Sequence, residues 1–316
     1  LNLMNTKIDH STIKNLKKNK PDYLYKNLNN NSFESQINFD FDLKGGLRTK
    51  DFYKNSDLDK PLISIITVSL NSEKTIEKTI QSVLNQTYDN VEFIIIDGKS
   101  SDQTLEIIKK YENSIDFWIS EKDTGIYNAM NKGLKICSGD IIGILNSDDE
   151  YTKDALELVK TYFEKEVDFV FGSVEKDRLL SGLNKEKIYW KFNIYPAHSS
   201  GFFISKSAQI KAGLYDEDFK LHADYDLIYK LIVKLKLNGI AMERNHITGK
   251  FNYLGISNQE KQINYFFEEF RIRKKNKQNL FYIFIFFIIK NIYFYLLKIN
   301  FLNKAIKLIK QKFRIN

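Results

Sequence analysis

The chain has 316 residues, 43% of them hydrophobic, which is enough for one large domain with appendages or two modest ones and excludes disorder for the bulk of it. A single cysteine, Cys137, excludes an internal disulfide framework and fits a reducing compartment. The net charge of +8 and pI near 9.1 admit nucleic acid, an anionic membrane surface or phosphorylated substrates, but A+T-rich coding also enriches Lys, so charge alone assigns no partner.

Residues 1–59 are rich in Asn, Lys and Asp and show no sustained period, so they are expected to form a loosely ordered extension with at most a short helix near Ser11 to Lys18. The opening residues are polar, unlike a secretory signal, and Met4 is a candidate start; the expected location is the cytoplasm. From Pro61 the pattern changes to short β-rich runs alternating with amphipathic helices. Strands are expected at Leu62 to Val68, Val91 to Ile96, Ile115 to Ile119, Ile141 to Leu145, Phe169 to Phe171 and Gly201 to Ile204. Ile76, Ile80, Val83 and Leu84 recur at helical spacing after a Ser72 cap, and a second helix is expected over Asp224 to Leu235. The fold class this predicts is α/β, with a mostly parallel central sheet and helices on both faces. It divides the chain into 1–59, a main domain over 60–257 and a helical segment over 258–316.

Two of the apolar strands end in acids: Ile141-Ile-Gly-Ile-Leu145 runs into Asn146-Ser-Asp-Asp149, and Val91-Glu-Phe-Ile-Ile-Ile96 into Asp97. Carboxylates at the carboxyl ends of parallel strands lie in the crevice where open α/β sheets bind ligands, and hard divalent cations take oxygen ligands there. That combination points to a metal-bridged diphosphate. A competing reading has Asp148 capping a helix that begins near Thr152, and Asp97 capping a turn over Gly98.

After Asn258 comes a charged helix, then the apolar run Leu280 to Ile289, then Ile292 to Leu297 and a basic segment from Phe301. A membrane span needs about 20 apolar residues. Lys290 and Asn291 would lie near the middle of any span drawn here, where a Lys costs about 3 kcal/mol, so a full crossing is not expected. Leu302, Ile306, Ile309 and Phe313 share one helical face with Lys304, Lys307, Lys310 and Arg314 around it, the pattern of a helix lying in an anionic membrane interface. The same pattern also fits a helix docked on the protein's own core.

Five segments in order carry a family resemblance: Pro61-Leu-Ile-Ser-Ile-Ile-Thr-Val-Ser-Leu-Asn71, Ile80-Gln-Ser-Val-Leu-Asn-Gln-Thr87, Ile96-Asp-Gly-Lys-Ser-Ser-Asp-Gln-Thr104, Asp123-Thr-Gly-Ile-Tyr-Asn-Ala-Met-Asn-Lys-Gly133 and Asn146-Ser-Asp-Asp149. From about Pro61 to Ser257 the chain resembles the family 2 glycosyltransferases of bacterial surface-polysaccharide synthesis, within them the colanic-acid type. The resemblance implies a GT-A fold that binds a nucleotide sugar through Mn2+ or Mg2+ and transfers the sugar with inversion to a glycan or lipid-linked saccharide, with no nucleic acid involved and a place at the inner face of the cell membrane. It implies that Asp149, with Asp148, holds the metal, Asp148 also serving the ribose. Asp97 would recognise base or ribose beside Thr67, Val68 and Ser69. Relatives often carry a second acid where this chain has Gly98, and Asp where it has Asn128.

The resemblance further implies that Asn128, Asn131 and Lys132 face the donor along one helix, and that His198, in Pro196-Ala-His-Ser-Ser-Gly201, contacts diphosphate or acceptor. By its place in Leu221-His-Ala-Asp-Tyr-Asp226, Asp224 would be the catalytic base, in preference to Asp226. Capping of the following helix by Asp224 is an alternative that does not exclude the first. Gly249 to Ser257 resembles a family loop, with Leu254 in place of one Gly. UDP is the nucleotide implied. A Gly-x-Gly-x-x-Gly dinucleotide turn and a Gly-rich phosphate loop are both missing after the first strand, where Ser69-Leu-Asn-Ser72 stands. That speaks against a dehydrogenase and against a sugar-phosphate nucleotidyltransferase. A non-catalytic, membrane-associated assembly partner has no chemical need for Asp97, Asp148, Asp149 and Asp224 together.

Overall fold

The structure, a computed structural model, describes residues 43–57, 59–189, 199–251 and 262–298, with Lys304 and Lys310 beyond them. The helix expected near Ser11 to Lys18, His198, the loop around Leu254 and the amphipathic segment 302–313 as a helix lie outside the described residues. The chain divides into two compact units: the described residues up to 182 with 199–251, and 183–189 with 262–298.

The first unit begins with β1 (Leu43–Gly45) and a 3-10 turn, Leu47–Lys50. Strands and helices then alternate: β2 (Ile63–Ser69), α1 (Ile76–Leu84), β3 (Val91–Asp97), α2 (Thr104–Lys110), β4 (Phe117–Ser120), α3 (Ile126–Ile136) and β5 (Ile141–Asn146). There follow β6 (Glu150–Tyr151), α4 (Ala155–Phe163), β7 (Phe169–Phe171), β8 (Ser173–Glu175), β9 (Leu179–Leu180), β10 (Phe202–Ser205), α5 (Lys206–Ala212), α6 (Ala223–Tyr229), β11 (Gly239–Ala241) and β12 (Ile247–Lys250). An eight-stranded sheet runs in the order β1-β4-β3-β2-β5-β10-β7-β11, and a smaller sheet in the order β6-β12-β8-β9. Strands β4, β3, β2 and β5 are parallel, as the alternation predicts, whereas β10 runs antiparallel to both its neighbours.

Strand β2 is buried along all seven residues, its apolar side chains and Ser64, Thr67 and Ser69 alike, because helices cover both of its faces. Ile63 and Ile65 join Ile80, Val83, Phe93, Leu145 and Val159 in one core. Each such side chain contributes roughly 1.5–3 kcal/mol by leaving water. On the opposite face Ile66 meets α3 at Gly133, where a Cβ would stand 2.3 Å from Ile66 Cγ2, so the absence of a side chain lets this helix lie close on the sheet.

Several expectations are corrected. Residues 43–57 are not a loose extension: β1 pairs with β4, and Arg48 and Lys54 are buried. Arg48 pairs with Glu92 and donates to the Ile136 carbonyl at 2.7 Å, while Lys54 reaches Asp116 at 2.9 Å. Both charges belong to internal ion pairs. No helix begins at Thr152, because the chain first pairs as β6; α4 starts at Ala155, with Asp154 rather than Asp148 at its N-cap. The side chain of Ser72 does not cap α1, whose N-cap is Thr75. The helix expected through Leu235 changes at Lys230–Lys234 to a π turn.

The second unit contains a 3-10 segment (Lys185–Tyr189), α7 (Gln262–Lys275) and α8 (Leu280–Lys298). Lys290 lies against Glu269, and Arg273 bonds the same carboxylate at 2.8 Å. Arg273 also donates to the Tyr189 carbonyl. The charge that argues against a membrane crossing is thus neutralised between the helices. Among the described residues no helix is long and apolar enough to cross a membrane.

Candidate active site

The parallel strands finish side by side. Ser69 of β2 is level with Asp97 of β3, Asp97 with Ser120 of β4, and Val68 with Asn146 of β5. The turns beyond these ends carry the chemistry-bearing side chains. Ser72 and Ser147 hydroxyls, 2.7 Å apart, tie the turn after β2 to the one after β5.

Asp97 is fully buried. Its carboxylate accepts from the Ser120 hydroxyl at 2.6 Å, the Ser100 amide at 3.0 Å and the Ser100 hydroxyl at 2.5 Å. Asp97 is therefore held by its own neighbours at the end of β3. Beside it, the space that a side chain at Gly98 would need is taken by a carboxylate from elsewhere: Asp123 Oδ2 lies 2.4 Å from where that Cβ would stand. Asp123 accepts the Gly125 amide at 2.9 Å and stays partly exposed. Burial pushes its carboxyl above the ordinary range, with Asp97 and Glu121 adding to the effect against the Gly125 amide and Lys132. The sequence reading missed Asp123, although the glycine at 98 was its signal.

Asp148 and Asp149 follow β5 in a turn closed by the Asp149 amide on the Asn146 carbonyl at 3.0 Å. Asp149 is fully buried, and the Thr79 hydroxyl of α1 donates to its carbonyl at 2.8 Å. Asp148 is half-buried, and burial raises its carboxyl above the ordinary range. Of the pair it is Asp148 that reaches solvent. Thr67 Oγ1, Ser69 Oγ and Asn146 Oδ1 are buried and meet no hydrogen-bond partner among the described residues. Buried polar atoms in native proteins are bonded, so these await water or a polar ligand at the strand ends.

No group of three His, Cys, Asp or Glu that could hold a metal occurs among the described residues. A full protein shell is therefore not built here, but Mg2+ and similar ions take one or two carboxylates and complete their shell with phosphate and water. Asp148 and Asp149, with the unbonded oxygens nearby, fit that kind of site.

Helix α3 starts just past the end of β4. Its residues expected to face the donor are held by the protein itself. Asn128 donates to Glu217 at 2.7 Å. Asn131, almost fully buried, donates to the Tyr215 carbonyl at 2.9 Å and accepts the Tyr215 amide at the same distance. Lys132 pairs with Glu121 at 2.5 Å. Asn131 is thereby a structural residue. His198 is not among the described residues, but its neighbour Ser199 accepts from Asn146 at 3.1 Å at the end of β5.

Asp224 lies in the first turn of α6, behind His222 at the N-cap, so the cap position is not its own. Its Oδ1 accepts the Tyr225 amide at 2.9 Å and the Tyr127 hydroxyl at 3.3 Å. It is half-buried, whereas Asp226 is fully buried with Lys230 at 3.5 Å. Because Tyr127 belongs to the first turn of α3, Asp224 stands at the same end of the sheet as Asp97 and Asp148.

Acids at the ends of the parallel strands, with a partly exposed carboxylate of a later helix at the same end of the sheet, and the similarities that follow make this a glycosyltransferase of the GT-A fold. The pattern described as Glycosyl transferase family 2 matches residues 64–211. An uncharacterized glycosyltransferase of Mycobacterium tuberculosis is 32% identical over 184 residues, covering 54% of this chain and 68% of the relative. The Escherichia coli UDP-Glc:alpha-D-GlcNAc-diphosphoundecaprenol beta-1,3-glucosyltransferase WfgD is 36% identical over 120 residues, 37% of this chain and 47% of its own. Among solved structures, Staphylococcus aureus TarS 1-349 in complex with UDP-GlcNAc has TM-score 0.55 at 18% identity, covering 67% of this chain and 65% of that one. The Pyrobaculum calidifontis mannosyltransferase PcManGT, in complex with GDP-Man and Mn2+, has TM-score 0.53 at 17% identity, covering 69% and 64%. The chain belongs to glycosyltransferase family 2.

Proposed function

We propose that this glycosyltransferase moves a hexose from a UDP-sugar to a lipid-linked or glycan acceptor in surface-polysaccharide assembly, with inversion at the anomeric carbon. The observation that carries the reading is the half-buried Asp224 carboxylate held at the sheet end where Asp97, Asp148 and Asp149 gather. WfgD, by its name, uses UDP-Glc and a diphosphoundecaprenol-linked acceptor. The TarS complex holds UDP-GlcNAc. Both support the donor and acceptor classes.

In this mechanism Asp97 and Asp123 accept hydrogen bonds from the base imide and ribose hydroxyls, since ionised carboxylates are acceptors only. Thr67, Val68 and Ser69 line the same strand end. Asp148 and Asp149 would hold Mn2+ or Mg2+, and the ion would supply charge neutralisation for the diphosphate leaving group. Asp224 takes the proton of the acceptor hydroxyl. The oxygen's electron pair forms the new bond to the anomeric carbon from the face opposite the diphosphate. The bond from that carbon to the diphosphate breaks with its electron pair leaving on UDP. A positioned base of this kind is worth about 10² to 10⁴ in rate.

The second unit is assigned to an anionic membrane surface. Phe281, Phe284, Ile289, Ile292 and Tyr295 of α8 are between 47% and 69% exposed, an apolar face far beyond the scattered exposure usual on soluble proteins. Basic residues close α7 at Arg273, Lys274 and Lys275, and Lys298 ends α8.

The test is transfer from UDP-glucose, UDP-galactose and their N-acetylamino counterparts to undecaprenyl-diphosphate-linked N-acetylglucosamine, with Mn2+ or with EDTA. Metal-dependent product with at least one donor is expected. The absence of both product and metal-dependent UDP binding would overturn the reading.

A further inference from the structure

Helix α3 and the segment from Tyr215 to Asp224 are stitched together along their length. Asn131 exchanges two hydrogen bonds with the Tyr215 backbone, Asn128 and Asn131 both donate to Glu217, and Lys220 donates to the Thr124 carbonyl at 3.1 Å. The last stitch is the Tyr127 hydroxyl on Asp224 Oδ1 at 3.3 Å. Tyr127 is buried, and its ring lies 5.4 Å from that of Tyr215, centroid to centroid, so its hydroxyl has little freedom to swing elsewhere.

The two donors on Asp224 differ in kind. The Tyr225 amide comes from the neighbouring residue and moves with the α6 turn. The Tyr127 hydroxyl comes from a helix that begins beyond β4, 97 residues earlier in sequence, and is fixed to the sheet through Gly133. Two donors converging on one oxygen restrain the carboxylate, and the second ties it to the helix that packs on the sheet carrying the donor-side acids. A base misplaced by a fraction of an ångström loses much of its value, since reaction needs a near-attack geometry.

Resting on the reading of Asp224 as base, we infer that Tyr127 is its positioning residue, a hydroxyl on the donor-side helix that orients the carboxylate toward the acceptor.

The experiment uses the full chain and three variants: Tyr127→Phe, Asp224→Asn and the two combined. Turnover is read as UDP released on transfer from UDP-glucose, UDP-galactose and their N-acetylamino counterparts to undecaprenyl-diphosphate-linked N-acetylglucosamine with Mn2+, and binding as calorimetric affinity for UDP. Tyr127→Phe keeps the ring and should leave UDP affinity within about twofold while lowering turnover about tenfold (~1.4 kcal/mol), in line with one hydrogen bond to a charged group. Asp224→Asn should lose about 10² or more. The combined variant should be no slower than Asp224→Asn alone, because Tyr127 acts through that carboxylate. Replacing Tyr127 by p-aminophenylalanine restores a donor and should recover most of the turnover, which separates orientation from any loss of folding.

Full activity of Tyr127→Phe, a further slowing when it is added to Asp224→Asn, or no recovery with p-aminophenylalanine overturns the inference while leaving the base assignment standing. An active Asp224→Asn variant instead removes the base assignment and the inference with it, as does a wild-type chain that releases no UDP from any of the four donors.

Discussion

Arg48→Met tests whether the segment before β2 is part of the first unit. Arg48 is 8% exposed and Glu92 1% exposed, and the pair joins the 3-10 turn after β1 to the central strand β3. Glu92 also accepts from Ser64 and from the Ser138 amide and hydroxyl. Removing one partner of a buried ion pair costs about 3–5 kcal/mol, because the other charge stays buried. Three remaining donors on Glu92 place the loss at the lower end, about 3 kcal/mol. For a unit of this size that is a fall of about 6–12 °C in melting midpoint, measurable by circular dichroism.

The pH dependence follows from the same pair. Burial pushes the Glu92 carboxyl up, but Arg48, Ser138 and Ser64 outweigh it and hold the group below its ordinary value. A depressed carboxyl contributes stability that is present above the unfolded-state pKa and is lost as pH falls through the folded one. The gap between wild type and Arg48→Met should therefore be full at neutral pH and shrink on acidification. A midpoint within about 2 °C of wild type at neutral pH would refute the reasoning.

Three other outcomes are expected. Asp148→Ala and Asp149→Ala should each abolish the Mn2+-dependent part of UDP binding in calorimetry, and unchanged binding with and without EDTA would remove the metal assignment. Gly98→Ala should displace only the mobile end of Asp123, leaving the melting midpoint within about 3 °C while weakening UDP binding several-fold; equal loss in both would make the site structural. Replacing Phe281, Phe284 and Ile288 together by Ser should free the protein from anionic liposomes at low salt without altering UDP affinity, and wild-type protein that ignores such liposomes would end the membrane assignment.

What was readable in the sequence follows the reach of each interaction. Strands β2, β3 and β5 are legible as largely apolar runs because both their faces are covered, and the acids at the ends of β3 and β5 sit in recognisable motifs. Strands β8 and β9 are too short to show a period. The ion pairs of Arg48 and Lys54 are not legible, because their acids lie 44 and 62 residues away. Asp224 stands out beside Asp226 in one motif, but which of them reaches solvent is decided by packing. Asp123 and Tyr127 were hidden for the same reason: one matters through the missing side chain of Gly98, the other through a partner brought in by the fold.

The most direct test of the central claim is the anomeric configuration of the product, read by proton NMR on the sugar transferred from an α-linked UDP-hexose. Direct displacement by a hydroxyl that Asp224 deprotonates gives a β-linked product with no covalent glycosyl-enzyme. An α-linked product would contradict a single inverting step and the role given to Asp224.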